Sequence, residues 1–500
     1  MQTFYTTLQD YFTKYKEGVI GNDRTINTPY GDQIPLIYAD WTASGRAYLP
    51  IEQKFMDEIF PLLANTHTDT NYTGSAMTYA LHKAKEMIKH HVGAGPEDVI
   101  ISSDAGMTGV VNKLQRILGI KLHESFKGKI HLGDKNRPVV FVTHMEHHSN
   151  QTSWLETISD VIVIPPDVEG MPDQHELENL LQQYQDRPMR IGAFTSCSNV
   201  TGILTPYMDY AALMHRYGGY CFVDFACSAP YIDIVMHEDQ AKGRYLDALY
   251  FSPHKFLGGP GSTGILVFNK SLYRNKIPDN PGGGTVTFTN PWGVHSYFDD
   301  IEAREEGGTP PFLQTIRAAM CIRLKEEMGT AEIRQREEEI LSILWPMLDS
   351  IPNLHILADQ HRHRLGVVSF YIDGLHYNLG VKLLNDRYGI QTRGGCSCAG
   401  TYGHYLLNIN AEKSGIISEK ILSGDCSLKP GWIRLSIHPT NTDEEIRFIG
   451  NAIKAIAENF QEWGKDYNLN YETNLVYHKN ETSSDQLYRT IDHILSEDFV

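Results

Sequence analysis

Lys255 stands four residues beyond the end of a short apolar run, Asp247 to Phe251, in the sequence Ser252-Pro253-His254-Lys255. An apolar run stopped by turn residues reads as a buried strand, and Gly258, Gly259, Pro260 and Gly261 follow at once. Open α/β sheets bind ligands beyond the carboxyl ends of such strands. A partly desolvated amine there can attack a carbonyl carbon. An ordinary surface lysine on a loop is the competing reading.

Three further stretches lie just past predicted strand ends. Ser102-Ser103-Asp104-Ala105-Gly106-Met107-Thr108 opens a helix. Its backbone amides and threonine hydroxyl suit a phosphate, and equally a plain N-cap. Thr143 to Asn150 carries His144, His147 and His148. These invite a metal, an imidazole stacked on an aromatic ligand, or no role beyond a surface loop. Asp224 ends the run Cys221-Phe222-Val223 and precedes Phe225, Ala226 and Cys227. A carboxylate there is costly if buried without a partner, so either a cation such as a pyridinium nitrogen or a helix cap must satisfy it. Around Lys255, Ser252 and His254 can bond a phosphate.

Taken together these are a phosphate cradle, a stacking imidazole, a carboxylate for a ring nitrogen and a lysine for an aldehyde. Pyridoxal 5′-phosphate has those four handles. A metal site built from His144, His147 and the Cys396/Cys398 pair is a weaker reading, because the spacing matches no common zinc pattern.

The elements that must position these residues follow along the chain. Expected strands are Val99 to Ser102, Val139 to Thr143, Val161 to Ile164, Arg190 to Thr195, Tyr220 to Val223, the Asp247 run and Gly264 to Phe268. Helices are expected over Thr78 to His91, Thr108 to Leu118, Gln174 to Gln185 and Met208 to Tyr217. Apolar strands alternating with helices predict a mostly parallel sheet covered on both faces. After a Gly- and Pro-rich stretch, Pro278 to Pro311, and a helix over Ile316 to Met328, the pattern becomes α+β. Strands are expected near Gly366 to Ile372 and Trp432 to Ser436, with helices near Asn378 to Tyr388 and Glu444 to Phe460. The division is a 1–64 N-terminal arm with part of the smaller domain, a large 65–310 cofactor-binding domain, a smaller 311–464 domain and a polar 465–500 tail.

Composition narrows the function classes. The 500 residues are 41% hydrophobic and 21% charged, with a net charge of −17. That charge disfavours a general nucleic-acid or anionic-membrane binder. No apolar run spans a bilayer and no export signal is evident. Seven cysteines are too few and scattered for a disulfide framework, so the expected compartment is the cytoplasm.

The motifs resemble the class V, fold-type I pyridoxal-phosphate enzymes, and within them the cysteine desulfurases and selenocysteine lyases. The resemblance covers roughly residues 36–460. Ser252 to Lys255 stands for the family's SxHK motif, Glu146 to Asn150 for EHH(S/A)N, and Ser198-Asn199-Val200-Thr201-Gly202 for SNxxG. Val223 to Cys227 stands for VDxAQ, and Gly307-Gly308-Thr309-Pro310 for (E/A)GTP. The resemblance implies a fold-type I large domain with a smaller α+β domain. It puts Lys255 on the cofactor aldehyde, His147 on the ring face, Asp224 at the ring nitrogen and Asn199 near the ring oxygen. Gly106, Met107, Thr108, Ser252 and His254 fall at the phosphate, with Thr309 reaching the phosphate of the other subunit of a homodimer.

Trp432-Ile433-Arg434-Leu435-Ser436 is similar to the strand whose arginine takes the substrate carboxylate. Arg393-Gly394-Gly395-Cys396-Ser397-Cys398-Ala399 is similar to the desulfurases' RxGxxCA loop, which puts Cys398 on the nucleophile. Asn199, Arg393 and His67 join Arg434 among the substrate-contacting residues. The implied activity converts L-cysteine to L-alanine and leaves a persulfide on Cys398 for a sulfur-acceptor protein. Rivals are another class V enzyme (aminotransferase, lyase or epimerase) and a cofactor-less binding or sulfur-carrier protein. The chain departs from the pattern at Cys227, where the family has glutamine, and at Gly109, where it often has glutamate. Residues 403–430 read as an insertion.

Overall fold

A computed structural model of the chain describes residues 6–103, 106–126, 129, 132–480 and 483–497. Asp104 and Ala105 of the expected phosphate loop lie outside the described residues. The chain divides into two compact units. One comprises Gly18–Ile20 and Thr42–Arg334; the other comprises the described parts of Met1–Glu17, Gly21–Trp41 and Gln335–Val500.

The larger unit is built on a seven-stranded sheet. Its strands are β1 (Asp98–Ser103), β2 (Val139–Thr143), β3 (Asp160–Ile164), β4 (Arg190–Thr195), β5 (Tyr220–Asp224), β6 (Ala248–Phe251) and β7 (Gly264–Asn269). Their order is β1-β7-β6-β5-β4-β2-β3. Only β7 runs against its neighbours; the contacts β6–β5, β5–β4, β4–β2 and β2–β3 are parallel. All five residues of β2 and all four of β6 are buried, as a strand covered on both faces requires. Burying each Val, Leu or Phe there contributes about 1.5–3 kcal/mol. The expectation of a mostly parallel α/β sheet is met.

Helices cover this sheet. Helix α1 (Tyr72–His91) starts six residues before its expected position, because Asn71 caps it by accepting the Gly74 amide at 2.8 Å. Helix α2 (Gly106–Ile117) follows β1, α3 (Gln174–Gln183) follows β3, and α4 (Tyr207–Arg216) follows β4. Helix α5 (Phe312–Met328) buries Ile316, Ala319, Cys321 and Ile322. It belongs by its contacts to this unit, so the unit continues past the Gly- and Pro-rich stretch to Arg334.

The smaller unit carries a four-stranded antiparallel sheet of β8 (Leu354–Ile356), β9 (Val367–Ile372), β10 (Arg393–Gly395) and β11 (Trp432–Ser436), ordered β8-β9-β11-β10. Helices α6 (Tyr377–Tyr388) and α9 (Asp443–Trp463) belong to the same core, through Leu383, Leu384, Ile446, Ile449 and Ile453. Thr442 and Glu445 form a reciprocal cap that starts α9. Between them lie α7 (Gly400–Leu406) and α8 (Ala411–Leu422), where the sequence suggests only an insertion. The start of the polar tail is a hairpin, Tyr467–Asn470 paired with Leu475–His478. It docks on α6, with Tyr467 donating to Asp386 Oδ2 at 2.9 Å and Asn378 Nδ2 donating to the Asn474 carbonyl at 2.6 Å.

Candidate active site

Parallel order places the carboxyl ends of β2, β4, β5 and β6 on one edge of the large sheet. The end of β1 joins them, because β7 reverses twice between β6 and β1. The sequence-predicted residues of this unit leave from that edge, apart from His67 and Thr309.

Lys255 closes a single 3₁₀ turn, Pro253–Lys255, directly after β6. Its amide donates to the Ser252 carbonyl at 3.1 Å. The turn is held from outside. The Gly45 amide donates to the His254 carbonyl at 2.9 Å, and the Gly258 amide to the Arg46 carbonyl at 2.7 Å. A Cβ on Gly259 would collide with the Pro253 carbonyl oxygen, so glycine is required at that close approach. The side chains of His254 and Lys255 are half-buried, and burial with the neighbouring Lys255 charge pulls His254 down to about 4.

Helix α2 begins against this turn. The Met107 amide donates to Ser252 Oγ at 2.8 Å. Gly106 has φ +60°, and a Cβ there would lie 3.1 Å from Ser252 Oγ. Thr108 Oγ1 lies 2.7 Å from Ser149 Oγ, which brings the histidine loop beside the same helix start.

His147 stands at the cap of the short turn His148–Asn150, and its Nδ1 accepts the Ser149 amide at 3.1 Å. Beneath it is a buried network that sequence reasoning missed. Glu146 Oε1 accepts from the Thr143 hydroxyl at 2.7 Å and the Thr195 amide at 2.8 Å; its Oε2 accepts from Asn150 Nδ2 at 2.7 Å. Asn150 Oδ1 accepts in turn from the Tyr250 hydroxyl at 2.7 Å and from Trp154 Nε1 at 3.2 Å. This ties β2, β4 and β6 together under the loop. Burial pushes Glu146 up to about 8, while the side-chain donors of Asn150 and Thr143 and the Thr195 amide pull it back. The one available signal was Glu146 and Asn150 at i,i+4 beside an apolar strand. His144 is fully buried, with its amide donating to the Ile164 carbonyl at 3.2 Å. Among the described residues no group of three or more His, Cys, Asp or Glu is arranged to hold a metal ion.

Asp224 ends β5 and is 4% exposed. Its Oδ1 accepts the Ala226 amide at 2.7 Å. Desolvation raises it to about 6, opposed by that amide and by the charge of Lys255. Asn199 is buried in the turn after β4, where Ser198 Oγ accepts the amides of Val200 and Thr201 at 3.1 and 3.2 Å. Cys227 Sγ lies 3.7 Å from the Ser198 carbonyl oxygen, so Asn199 and Cys227 share one corner.

Two predicted residues of this unit stand apart from the strand-end loops. Thr309 is exposed in a loop where the Gly308 amide donates to the Gly283 carbonyl at 2.8 Å. His67 is exposed with φ +67°, its Nδ1 3.0 Å from Thr66 Oγ1.

The smaller unit holds the rest. Arg393 and Arg434 are direct partners across β10 and β11. Arg434 is 3% exposed and donates from Nη2 to Asp40 Oδ1 at 2.7 Å. Arg393 donates from Nε to Asp40 Oδ2 at 3.0 Å. Asp40 is not among the residues that the sequence singled out. Beyond β10, Ser397 and Cys398 both have left-handed backbones, φ +51° and +56°. Two adjacent non-glycine residues there store about 1–3 kcal/mol each, and such strain clusters at functional loops. Trp432 Nε1 donates to Ser397 Oγ at 3.2 Å and the Ala399 amide to the Cys396 carbonyl at 3.0 Å. The loop so held leaves Cys398 exposed and Cys396 half-buried.

A family model described as aminotransferase class-V matches residues 37–449. A probable cysteine desulfurase of Halalkalibacterium halodurans is 27% identical over 369 residues, 73% of this chain and 84% of that protein. A probable cysteine desulfurase of Staphylococcus aureus is 26% identical over 429 residues, 85% of this chain and 93% of that protein. The apo cysteine desulfurase of Thermococcus onnurineus superposes with a TM-score of 0.70 at 22% identity, covering 89% of this chain and 98% of that one. The cysteine desulfurase CsdA of Escherichia coli gives a TM-score of 0.64 at 20% identity, covering 84% and 94%. The likeness to the solved structures is one of fold.

Proposed function

The chain belongs to the aminotransferase class-V family, and on that premise we propose that it is a pyridoxal-phosphate-dependent cysteine desulfurase. The observation that carries the reading is Asp224, a buried carboxylate at a strand end within electrostatic reach of Lys255. Burying that carboxylate is costly, and a protonated ring nitrogen would offset the cost. The close approach of Gly106 and Met107 to Ser252 also supports it, since a glycine helix start leaves room for a phosphate.

When bound, pyridoxal phosphate supplies an aldehyde for an amine and a ring that takes up an electron pair. Gly106, Met107, Thr108, Ser252 and His254 would hold its phosphate, completed by Thr309 of the partner subunit in a homodimer. His147 would cover the ring face, and the Glu146–Asn150 network would keep that loop in place. Asn199 and Cys227 would face the ring oxygen, and Asp224 would keep a proton on the ring nitrogen. Arg434, with Arg393 and His67, would hold the substrate carboxylate; a guanidinium fork bonds both oxygens at once.

Lys255 would hold the aldehyde and then, as a free amine, take the proton from the substrate Cα. The Cys398 thiolate would attack the substrate sulfur. The new S–S bond forms as the Cβ–S bond breaks, and the electron pair left on carbon takes up a proton. L-Alanine leaves and the persulfide stays on Cys398, to be passed to an acceptor protein in the cytoplasm. The test is the absorbance spectrum of the purified protein before and after L-cysteine, with alanine measured. A cofactor band that shifts, with alanine formed, supports the reading; no cofactor band and no alanine overturn it.

A further inference from the structure

Asp40 is brought to the two arginines by backbone pairing rather than by its own side chain. The short strand Ile37–Tyr38 runs parallel to Ile390–Gln391. The Ala39 amide donates to the Gln391 carbonyl at 3.0 Å, and the Ser436 amide donates to the Ala39 carbonyl at 2.8 Å. Trp41 then anchors the segment, its ring stacked on His438 with centroids 4.1 Å apart and its Nε1 donating to the Tyr38 carbonyl at 3.0 Å. Asp40 is thereby fixed at the end of β11.

Arg393 and Arg434 face each other directly across an antiparallel pair. Like charges so placed repel. Asp40 bridges them, one carboxylate oxygen to each. Arg434 is buried, whereas the Arg393 side chain is 52% exposed. Asp40 takes the Nη2 edge of Arg434, and a guanidinium has five N–H donors in a fixed fork. Two guanidinium charges and one carboxylate leave a single net positive charge at this strand end.

We propose that Asp40 is a positioning residue for substrate recognition: it orients Arg434 and Arg393 and cancels one of their charges, which favours amino acids with one carboxylate over dicarboxylic ones. This rests on the reading that Arg434 receives the substrate carboxylate. A dicarboxylic amino acid would bring a second negative charge to a site already matched by one.

The test uses the holoenzyme, with L-cysteine as substrate and L-alanine and L-aspartate as competing ligands. Asp40→Asn should raise KM for L-cysteine on the order of tenfold while moving kcat far less. The ratio of the L-alanine to the L-aspartate inhibition constants should shift on the order of tenfold toward L-aspartate. Asp40→Glu keeps the charge and should keep the parent preference even where its longer reach raises KM. An unchanged ratio in Asp40→Asn, with only the melting temperature lowered, reduces Asp40 to a structural ion pair and overturns the proposal. A changed preference in Asp40→Glu overturns it also, and that variant decides the matter if Asp40→Asn does not fold. Failure of the parent enzyme to bind L-cysteine or L-alanine would instead strike the proposed function.

Discussion

Gly45 is bonded to His254: its amide reaches the histidine carbonyl at 2.9 Å and pins the turn that presents Lys255. A Cβ on Gly45 would collide with the carbonyl oxygen of Phe256, which is backbone and cannot swing away. Gly45→Ala should therefore destabilise the protein by about 1–3 kcal/mol, as overpacking does, and should loosen the Lys255 turn. Denaturant unfolding of the apoprotein checks the first effect, and the fraction of cofactor retained through gel filtration checks the second. Parent behaviour in both would show that the turn does not depend on this contact.

Asp224 ties stability to pH. Its folded value of about 6 lies above the ordinary 3.8, so the folded state favours the protonated acid. The resulting stabilisation is full below pH 3.8 and is lost as pH rises to about 6, a span worth roughly 3 kcal/mol. Asp224→Asn should remove that part of the slope from apoprotein unfolding curves and should cut turnover severely. An unaltered slope would contradict the assignment of this ionisation to Asp224.

The continuous apolar strands were legible. Val139–Thr143, Arg190–Thr195 and Trp432–Ser436 occur with the expected bounds, because each is a run that only a covered strand explains. The hairpins Thr25–Thr28 with Gly31–Pro35 and Val286–Thr289 with His295–Tyr297 were not expected, since they are polar and weakly alternating. Candidate site residues placed by a strand end could be read from the local sequence: Lys255 and Asp224 are of this kind, whereas Asn199 entered only through the family resemblance. Asp40 could not, because its partners lie 353 and 394 residues away. The same holds for Tyr250, which meets Asn150 across 100 residues of chain.

Lys255 is the lysine expected to hold the cofactor. Borohydride reduction of the holoenzyme followed by peptide mapping should place the pyridoxyl group on the peptide containing Lys255. A label on any other lysine would move the site.

Thr309 is exposed in the single chain, and the proposed homodimer would set it at the phosphate of the neighbouring subunit. Sedimentation should show a dimer at working concentrations, and Thr309→Ala should lower cofactor affinity by roughly tenfold, the scale of one charge-assisted hydrogen bond. A monomer with full activity would contradict the shared site.

Cys398, the exposed thiol of the strained loop, is the residue on which the proposed chemistry ends. The direct measurement is mass spectrometry of protein mixed with L-cysteine, quenched at short times with an alkylating agent and digested. One additional sulfur atom on Cys398, matched by L-alanine in equal amount and absent in Cys398→Ala, is the predicted result. L-Alanine and sulfide released by Cys398→Ala at the parent rate, with no extra sulfur on Cys398 in the parent protein, would contradict the account.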